Sequence, residues 1–351
     1  MTGALVGGPP RPDAAAGQGT LVLTREDVAR VLPMRACIDA VERAFERHAR
    51  GASIAPGVLG THVEGGGFHV KTAGIEDGVD GSPVFAAKVN ANFPGNPDQR
   101  GLPTIQGVIA LFDAHDGRVL ALLDSIEITS LRTAATTAIA AKHLAPVGGI
   151  VTVCGCGEQS RYQLRALACV RSLRRVLAFD LHAGRAARFA DAMAAELGVE
   201  VAVIRQLSDA AAATDIWVTC TTARRWFLGR AHVTAGAFVA AVGADNPEKQ
   251  EIEPELLAGS AVVVDLLEQC AMIGELHHAI AAGIMAPEQV RAELADLVTH
   301  RKPGRESPEE IVVFDSTGTA LQDVAAAALA YQRARVAGVG LSVRLGGDGH
   351  G

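Results

Sequence analysis

Aromatic residues are scarce, 4% of 351 residues, although 49% of the chain is hydrophobic. Its cores must be built from Ala, Val, Leu and Ile, a composition that suits helices packed on parallel strands. Basic blocks and aromatic–basic interleaving are also missing, and the net charge is −7. Nucleic acid is thereby excluded as an expected partner. The densest basic spot, Arg171 with Arg174 and Arg175, reads as a solvated helix end. No uninterrupted apolar run reaches the roughly 18 residues that span a bilayer, so no membrane partner is expected. Cysteine pairs are missing too. The six cysteines are scattered (Cys37, Cys154, Cys156, Cys169, Cys220, Cys270), several of them in apolar runs. That pattern fits buried thiols in a reducing cytoplasm, not a disulfide framework. No second Cys pair or Cys/His cluster follows Cys154 and Cys156, so no metal is expected. Residues 1–20 are rich in Gly, Ala and Pro and lack a charged start before an apolar block; they read as a disordered tail and not a signal peptide. Residues 346–351 read as loose as well.

The chain is long enough for two sizeable cores. Residues 21–50 read as helical, with Thr24 and Asp27 at capping-box spacing. From 61 to 124 the pattern changes to short strands split by Gly, Pro and Asn, with Asp113-Ala-His-Asp-Gly117 as a hairpin turn. A long helix is predicted over about 128–144. Strands near 150, 176, 201, 216, 238 and 262 then alternate with helices, the signature of a doubly wound parallel sheet. An Ala-rich helix over 320–337 is left over and is expected to pack back on the first domain. The fold class is α/β: a doubly wound parallel (Rossmann) sheet plus an α+β domain. The expected boundaries are 21–127 with 315–345 for the α+β domain and 128–314 for the Rossmann domain.

The segment Val151-Thr-Val-Cys-Gly-Cys-Gly-Glu-Gln-Ser160 carries the most information. A buried strand runs into Gly155-x-Gly157-x-x-Ser160 and then a helix; a second strand ends in Asp180, 23 residues after Gly157. Gly155 permits a tight turn, and Gly157 lets backbone approach a pyrophosphate at the helix N-terminus, where free N–H groups and the dipole favour an anion. Ser160 replaces the third glycine and is small enough for close helix–strand packing. Asp180 would accept hydrogen bonds from ribose hydroxyls and repel a 2′-phosphate, which favours NAD over NADP. An ordinary strand–helix turn is the competing reading.

Four further places could carry chemistry. Arg132 stands in an otherwise apolar helical stretch, suited to gripping an anion with its planar fork or to marking an exposed helix end. Lys88 sits in an apolar strand that breaks at Asn/Pro/Gly; it either binds a carboxylate or faces solvent. His69 and Lys71 alternate and so share one strand face, which a solvated polar face would also explain. Asp245 ends the buried run Gly236-Ala-Phe-Val-Ala-Ala-Val-Gly-Ala-Asp245. There a parallel sheet places its ligands and a general acid/base, or a loop cap, would be found.

Taken together, these residues resemble the ornithine cyclodeaminase/mu-crystallin family over nearly the whole chain. The matching pieces are Lys88 with Phe93-Pro-Gly-Asn96, Gly101-Leu-Pro-Thr-Ile-Gln-Gly107, Asp124 through Arg132, Gly155-Cys-Gly-Glu-Gln159, Val242-Gly-Ala-Asp245 with Lys249-Gln-Glu251, Arg301-Lys-Pro-Gly-Arg305, and Phe314-Asp-Ser-Thr-Gly318 with Gln322-Asp323. The resemblance implies an NAD(P)-linked enzyme acting at an amino-acid C–N bond, by cyclodeamination, oxidative deamination or imine reduction. It implies that Gly155, Gly157, Glu158, Gln159, Ser160 and Asp180 bind the dinucleotide, while Thr221, Ser316, Thr317 and Gly318 line the nicotinamide pocket. Lys88 and Arg132 would bind the substrate carboxylate, and Asp245, with Lys88 as the next candidate base, would handle protons. The first domain would bind substrate and form a homodimer.

One departure stands out. Ala55-Pro-Gly-Val-Leu-Gly-Thr-His62 lacks the arginine that many members of the family carry there. Either Lys71, beside His69, replaces that charge, or the substrate is not ornithine. Rival readings are a non-catalytic binder of dinucleotide and small ligand, and a redox sensor using Cys154 and Cys156.

Overall fold

The computed structural model describes residues 19–345. The loose ends expected at 1–20 and 346–351 lie outside it except for Gly19 and Thr20, and Thr20 already begins a strand. Among the described residues no helix is long and apolar enough to cross a membrane.

Two sheets organise the chain. The first has seven strands in the order Leu341–Val343, Thr20–Leu23, Val119–Asp124, Ile105–Asp113, Ser82–Asn92, Gly66–Val79 and Ser53–Val63. Its pairings are antiparallel except that Thr20–Leu23 runs parallel to Val119–Asp124. Residues 21–50, expected to be helical throughout, therefore open with a strand before the helices Arg25–Val31 and Met34–Ala49. The Thr24/Asp27 capping box is formed, each residue's side chain accepting the other's backbone N–H.

The second sheet has eight parallel strands in the order Ala292–Glu293, Ala261–Val264, Val312–Asp315, Phe238–Ala241, Ile216–Thr219, Ile150–Cys154, Arg175–Phe179 and Glu200–Val203. The predicted series omitted Val312–Asp315, which inserts between two of the expected strands. From Ile150–Cys154 the chain winds outward one way, then returns to Ile216–Thr219 and winds the other. The point of reversal lies between those two strands, and their carboxyl ends open the crevice where such sheets hold ligands.

The long helix starts at Ser125, not near 128, because Asp124 caps it by accepting the N–H groups of Ile126 and Glu127. Arg132 consequently lies two turns inside the helix Ser125–Leu144 and not beside its N-terminus. That helix is buried nearly all round by Ala, Ile, Leu and Thr, as a helix between two layers must be. The helix Ala320–Ala337 packs on Gly66–Val79, Ser82–Asn92 and the helix Met34–Ala49, as its left-over place in the strand series implied.

Candidate active site

At the first parallel strand, Gly155 adopts φ +92°, and a Cβ there would meet Thr221 Cγ2 and the Cys220 carbonyl. Only glycine lets these two loops touch at the point of reversal. Gly157 faces open space, and the helix Glu158–Val170 that it caps has no side chain on its first N–H groups. Ser160 is fully buried and hydrogen-bonds the Gly155 carbonyl and Cys220 Sγ, so it is a packing residue. Glu158 turns away to pair with Arg25, and the Gln159 amide donates to the Ser130 carbonyl. What these two residues bring to the turn is backbone N–H. The Asp180 carboxylate accepts N–H bonds from Cys156 at 2.9 Å and His182 at 2.8 Å, with Arg185 3.6 Å away. An uncapped helix start, an open space in front of Gly157 and a carboxylate after the next strand fit a dinucleotide. Burial suppresses thiolate at the thiols nearby: with Asp180 adding to the effect it pushes Cys156 up to about 12, and it raises Cys154 well above the ordinary thiol range.

Across the crevice, register brings the cations together. Lys71 and Lys88 are direct cross-strand partners, and His69 lies on the same face one pair further along. Lys88 is 3% exposed, and its ammonium is 2.7 Å from Asp323 Oδ2. Arg132, 5% exposed, places Nε 2.9 Å from Asp323 Oδ1 and donates from Nη1 to Gln322 Oε1 at 2.7 Å. Lys71 Nζ donates to the Gly318 carbonyl at 2.7 Å and the Thr317 carbonyl at 3.4 Å. Gly318 must be glycine: its φ is +75°, and a Cβ would run into the Arg132 guanidinium. Burial pushes Lys88 down to about 7, with Arg132 and Lys71 adding to the effect and Asp323 opposing it. Burial and Arg132 lower Lys71 in the same way.

Asp245 stands on the far lip. Protein crowds it, yet 52% of its side chain is reachable by water, and Lys249 Nζ sits 2.7 Å from Oδ1. Burial alone would raise its pKa, but Lys249, Lys71 and His69 outweigh that and hold the carboxyl below its ordinary range. Asp245 is therefore ionised at neutral pH, as a base must be. Burial also keeps His69 below its ordinary value, so its imidazole is neutral.

Three acids that sequence reasoning left without a role hold this arrangement in place. Asp323, in an Ala-rich helix, is 1% exposed and bridges Lys88 and Arg132. Asp265 accepts the Gly318 N–H at 2.7 Å and the hydroxyls of Ser316 and Thr317, which fixes the 316–318 loop. Glu251 accepts both the N–H and hydroxyl of Thr221 at 2.6 Å, and with its other oxygen the N–H of Gly243 at 2.9 Å. It ties the Thr221 loop to the loop that carries Asp245. Asp265 was findable, because it directly follows a buried strand of the parallel sheet, as Asp180 does.

The parallel sheet with its uncapped helix start defines an α/β protein of the dinucleotide-binding class, with a cation-lined pocket on a second sheet. The chain belongs to the ornithine cyclodeaminase/mu-crystallin family, whose model matches residues 18–338. It is 34% identical over 327 residues to the iminosuccinate reductase of Paracoccus denitrificans, covering 93% of this chain and 100% of that one. The structure of Thermococcus litoralis Delta(1)-pyrroline-2-carboxylate reductase with NADH and L-proline superposes with a TM-score of 0.88 at 32% identity, covering 92% and 100% of the two chains. An archaeal alanine dehydrogenase dimer with bound NAD gives 0.87 at 36% identity, covering 93% and 99%.

Proposed function

We propose that this chain is an NAD-dependent oxidoreductase acting at the C–N bond of an α-amino acid or the corresponding imine. What supports the reading is a pair of buried cations with N–H donors to spare, Lys88 and Arg132, on the sheet whose Lys71 and His69 in turn act on the ionised carboxylate of Asp245. Lys88 and Arg132 hold the substrate α-carboxylate and so fix Cα. Asp245, facing them, takes the proton from the substrate nitrogen as the C=N bond forms and returns it in the reductive direction. Gly155, Gly157 and Asp180 would hold NAD, which would supply the acceptor for the hydride from Cα. Thr221 and Ser316–Thr317–Gly318, fixed by Glu251 and Asp265, wall the far side of the crevice. The named relatives act on alanine, on an imino diacid and on a cyclic imine, so relatedness alone supports the bond class and leaves the substrate open.

The face of the first sheet turned away from the helices carries a row of apolar residues in register: Leu59, Val70, Val89 and Val108, with Val63 and Phe68 beside them. All but Val70 are exposed large hydrophobics. An apolar patch of this kind supports a homodimer through that sheet. A monomeric mass by sedimentation at micromolar concentration would overturn it. Six cysteines without a disulfide support a cytoplasmic setting.

The test of the activity is a panel of L-amino acids and imines read by nicotinamide absorbance and mass spectrometry, with NAD compared against NADP. Turnover with NAD is expected, and NADP should serve less well because its extra phosphate meets Asp180. A positioned base contributes about 10²–10⁴ in rate. Asp245→Asn should therefore lower kcat at least about a hundredfold with NAD affinity near native. Normal turnover by that variant would remove Asp245 from the mechanism.

A further inference from the structure

The strands Ile216–Thr219 and Phe238–Ala241 lie side by side, and the last bond of their ladder joins the Val242 N–H to the Thr219 carbonyl at 2.9 Å. Past that bond one chain goes on to Thr221 and the other to Asp245. Glu251 takes over where the ladder stops. It is fully buried, and both of its oxygens are used: one accepts the N–H and the hydroxyl of Thr221, each at 2.6 Å, and the other accepts the Gly243 N–H at 2.9 Å. Space is as tight as the bonding. A Cβ on Gly243 would run into the Glu251 carboxylate, as one on Gly155 would meet Thr221 Cγ2. Gly155, Thr221, Glu251 and Gly243 therefore touch in series, from the dinucleotide turn to two residues before Asp245. The series is anchored from behind, because buried Glu275 accepts the N–H groups of Glu251 at 2.7 Å and Ile252 at 3.1 Å. Among the described residues the other side-chain tie between the two segments, Arg224 with Glu248, is exposed at both ends and contributes little.

Every group that reaches the Glu251 side chain is a donor, so the bridge needs an acceptor on both arms. A carboxylate supplies that; the amide of glutamine has the same shape, but one arm becomes NH2 and meets a donor at either Thr221 or Gly243. We propose that Glu251 is a positioning residue for turnover: it fixes the separation between the dinucleotide turn and the Asp245 carboxylate, and so keeps the base at the substrate nitrogen while the nicotinamide stands at Cα. The inference rests on the C–N oxidoreductase reading above. A misplacement of about 1 Å in a reacting group costs about a hundredfold in rate. Glu251 touches none of the groups given to the substrate carboxylate, the pyrophosphate or the ribose, so its effect falls on kcat and not on binding.

The experiment compares Glu251→Gln and Gly243→Ala with the native enzyme on the best substrate of the panel, each alone and combined with Asp245→Asn. Turnover is referred to NAD-binding sites counted by fluorescence titration, so that unfolded chains do not enter kcat. Each single variant should lower kcat at least about tenfold, with KM and the Kd for NAD within about threefold of native. With Asp245→Asn already present, either change should lower kcat by less than about threefold more, because residues that act through one group are not additive. Gly243→Ala keeps the Glu251 charge and every polar group, and it carries the test alone if Glu251→Gln does not fold. Native kcat per site in either folded variant overturns the inference. Losses that multiply with that of Asp245→Asn, or that appear equally in KM and Kd, make Glu251 general scaffold and overturn it too. Those outcomes leave the oxidoreductase reading intact. Normal turnover by Asp245→Asn removes the base through which Glu251 acts, and the inference with it. Absence of turnover by the native chain across the panel, in both directions, overturns the oxidoreductase reading itself and this inference as well.

Discussion

Two groups of buried charge face each other across the crevice, and they are wired differently. On the side of the antiparallel sheet, Lys88 and Arg132 share the Asp323 carboxylate, Lys71 rests on two backbone carbonyls, and all three keep donors unfilled. On the side of the parallel sheet, the acids are mostly answered by backbone. Glu251 holds Thr221 and Gly243, Glu275 holds the N–H groups of Glu251 and Ile252, Asp265 holds Gly318, and Asp315 holds Leu276. Buried charge satisfied from within fixes loops, and buried charge with donors left over waits for a ligand. The acids thus set where Thr221, Gly243 and Gly318 stand, and the cations are the groups that the proposed function gives to the substrate.

Arg132→Ala tests the cation side and should have the largest effect. Losing one charge-assisted partner of a buried anion costs about 2–4 kcal/mol. The expected outcome is a substrate KM raised more than about a hundredfold, with the Kd for NAD within about threefold of native by fluorescence titration. If both affinities fall together, Arg132 is scaffold like the acids, and the contrast between the two sides is lost.

The contrast was partly legible in the sequence, and which parts were legible has a physical reason. Gly155, Gly157, Ser160 and Asp180 are read from one short segment, because a strand, a turn, a helix and a second strand are close neighbours along the chain. Asp245 was legible from the rule that ligands sit at strand carboxyl ends. Alternation put His69 and Lys71 on one face but did not say which face is covered. That depends on the register with Lys88 and on the helix Ala320–Ala337, and pairing across strands leaves no local mark. Asp323 was hidden for the same reason: its partners lie about 190 and 235 residues earlier in the chain. The strand Thr20–Leu23 is four residues long and pairs with Val119–Asp124, so nothing nearby distinguishes it from a helix start. The helix that holds Arg132 was started too late, near 128, because the Asp124 cap, with Glu127 three residues on, was overlooked as the start signal.

Asp315→Asn tests the acid side and should have the smallest effect, one on stability. Burial pushes Asp315 from 3.8 to about 7, the Leu276 N–H opposing and Asp265 adding to the rise. One of its oxygens has no hydrogen-bond partner. The folded state therefore holds a proton that the unfolded chain releases near pH 4, so stability falls as pH rises from there to about 7, and above that the full cost is present. Each pH unit in this window is worth about 1.4 kcal/mol at most. Asparagine keeps an oxygen for Leu276 and has no charge to bury. The melting temperature of Asp315→Asn relative to the native chain should thus climb between pH 5 and pH 8, by roughly 3–6 °C at about 2 °C per kcal/mol for a chain of this size. Differential scanning fluorimetry across that range measures it. A difference that stays flat with pH would mean that the Asp315 charge is already answered in the folded state. A difference that falls would mean that the ionised Asp315 carboxylate stabilises the fold, and Asp315 would then be more than a scaffold group held neutral by burial.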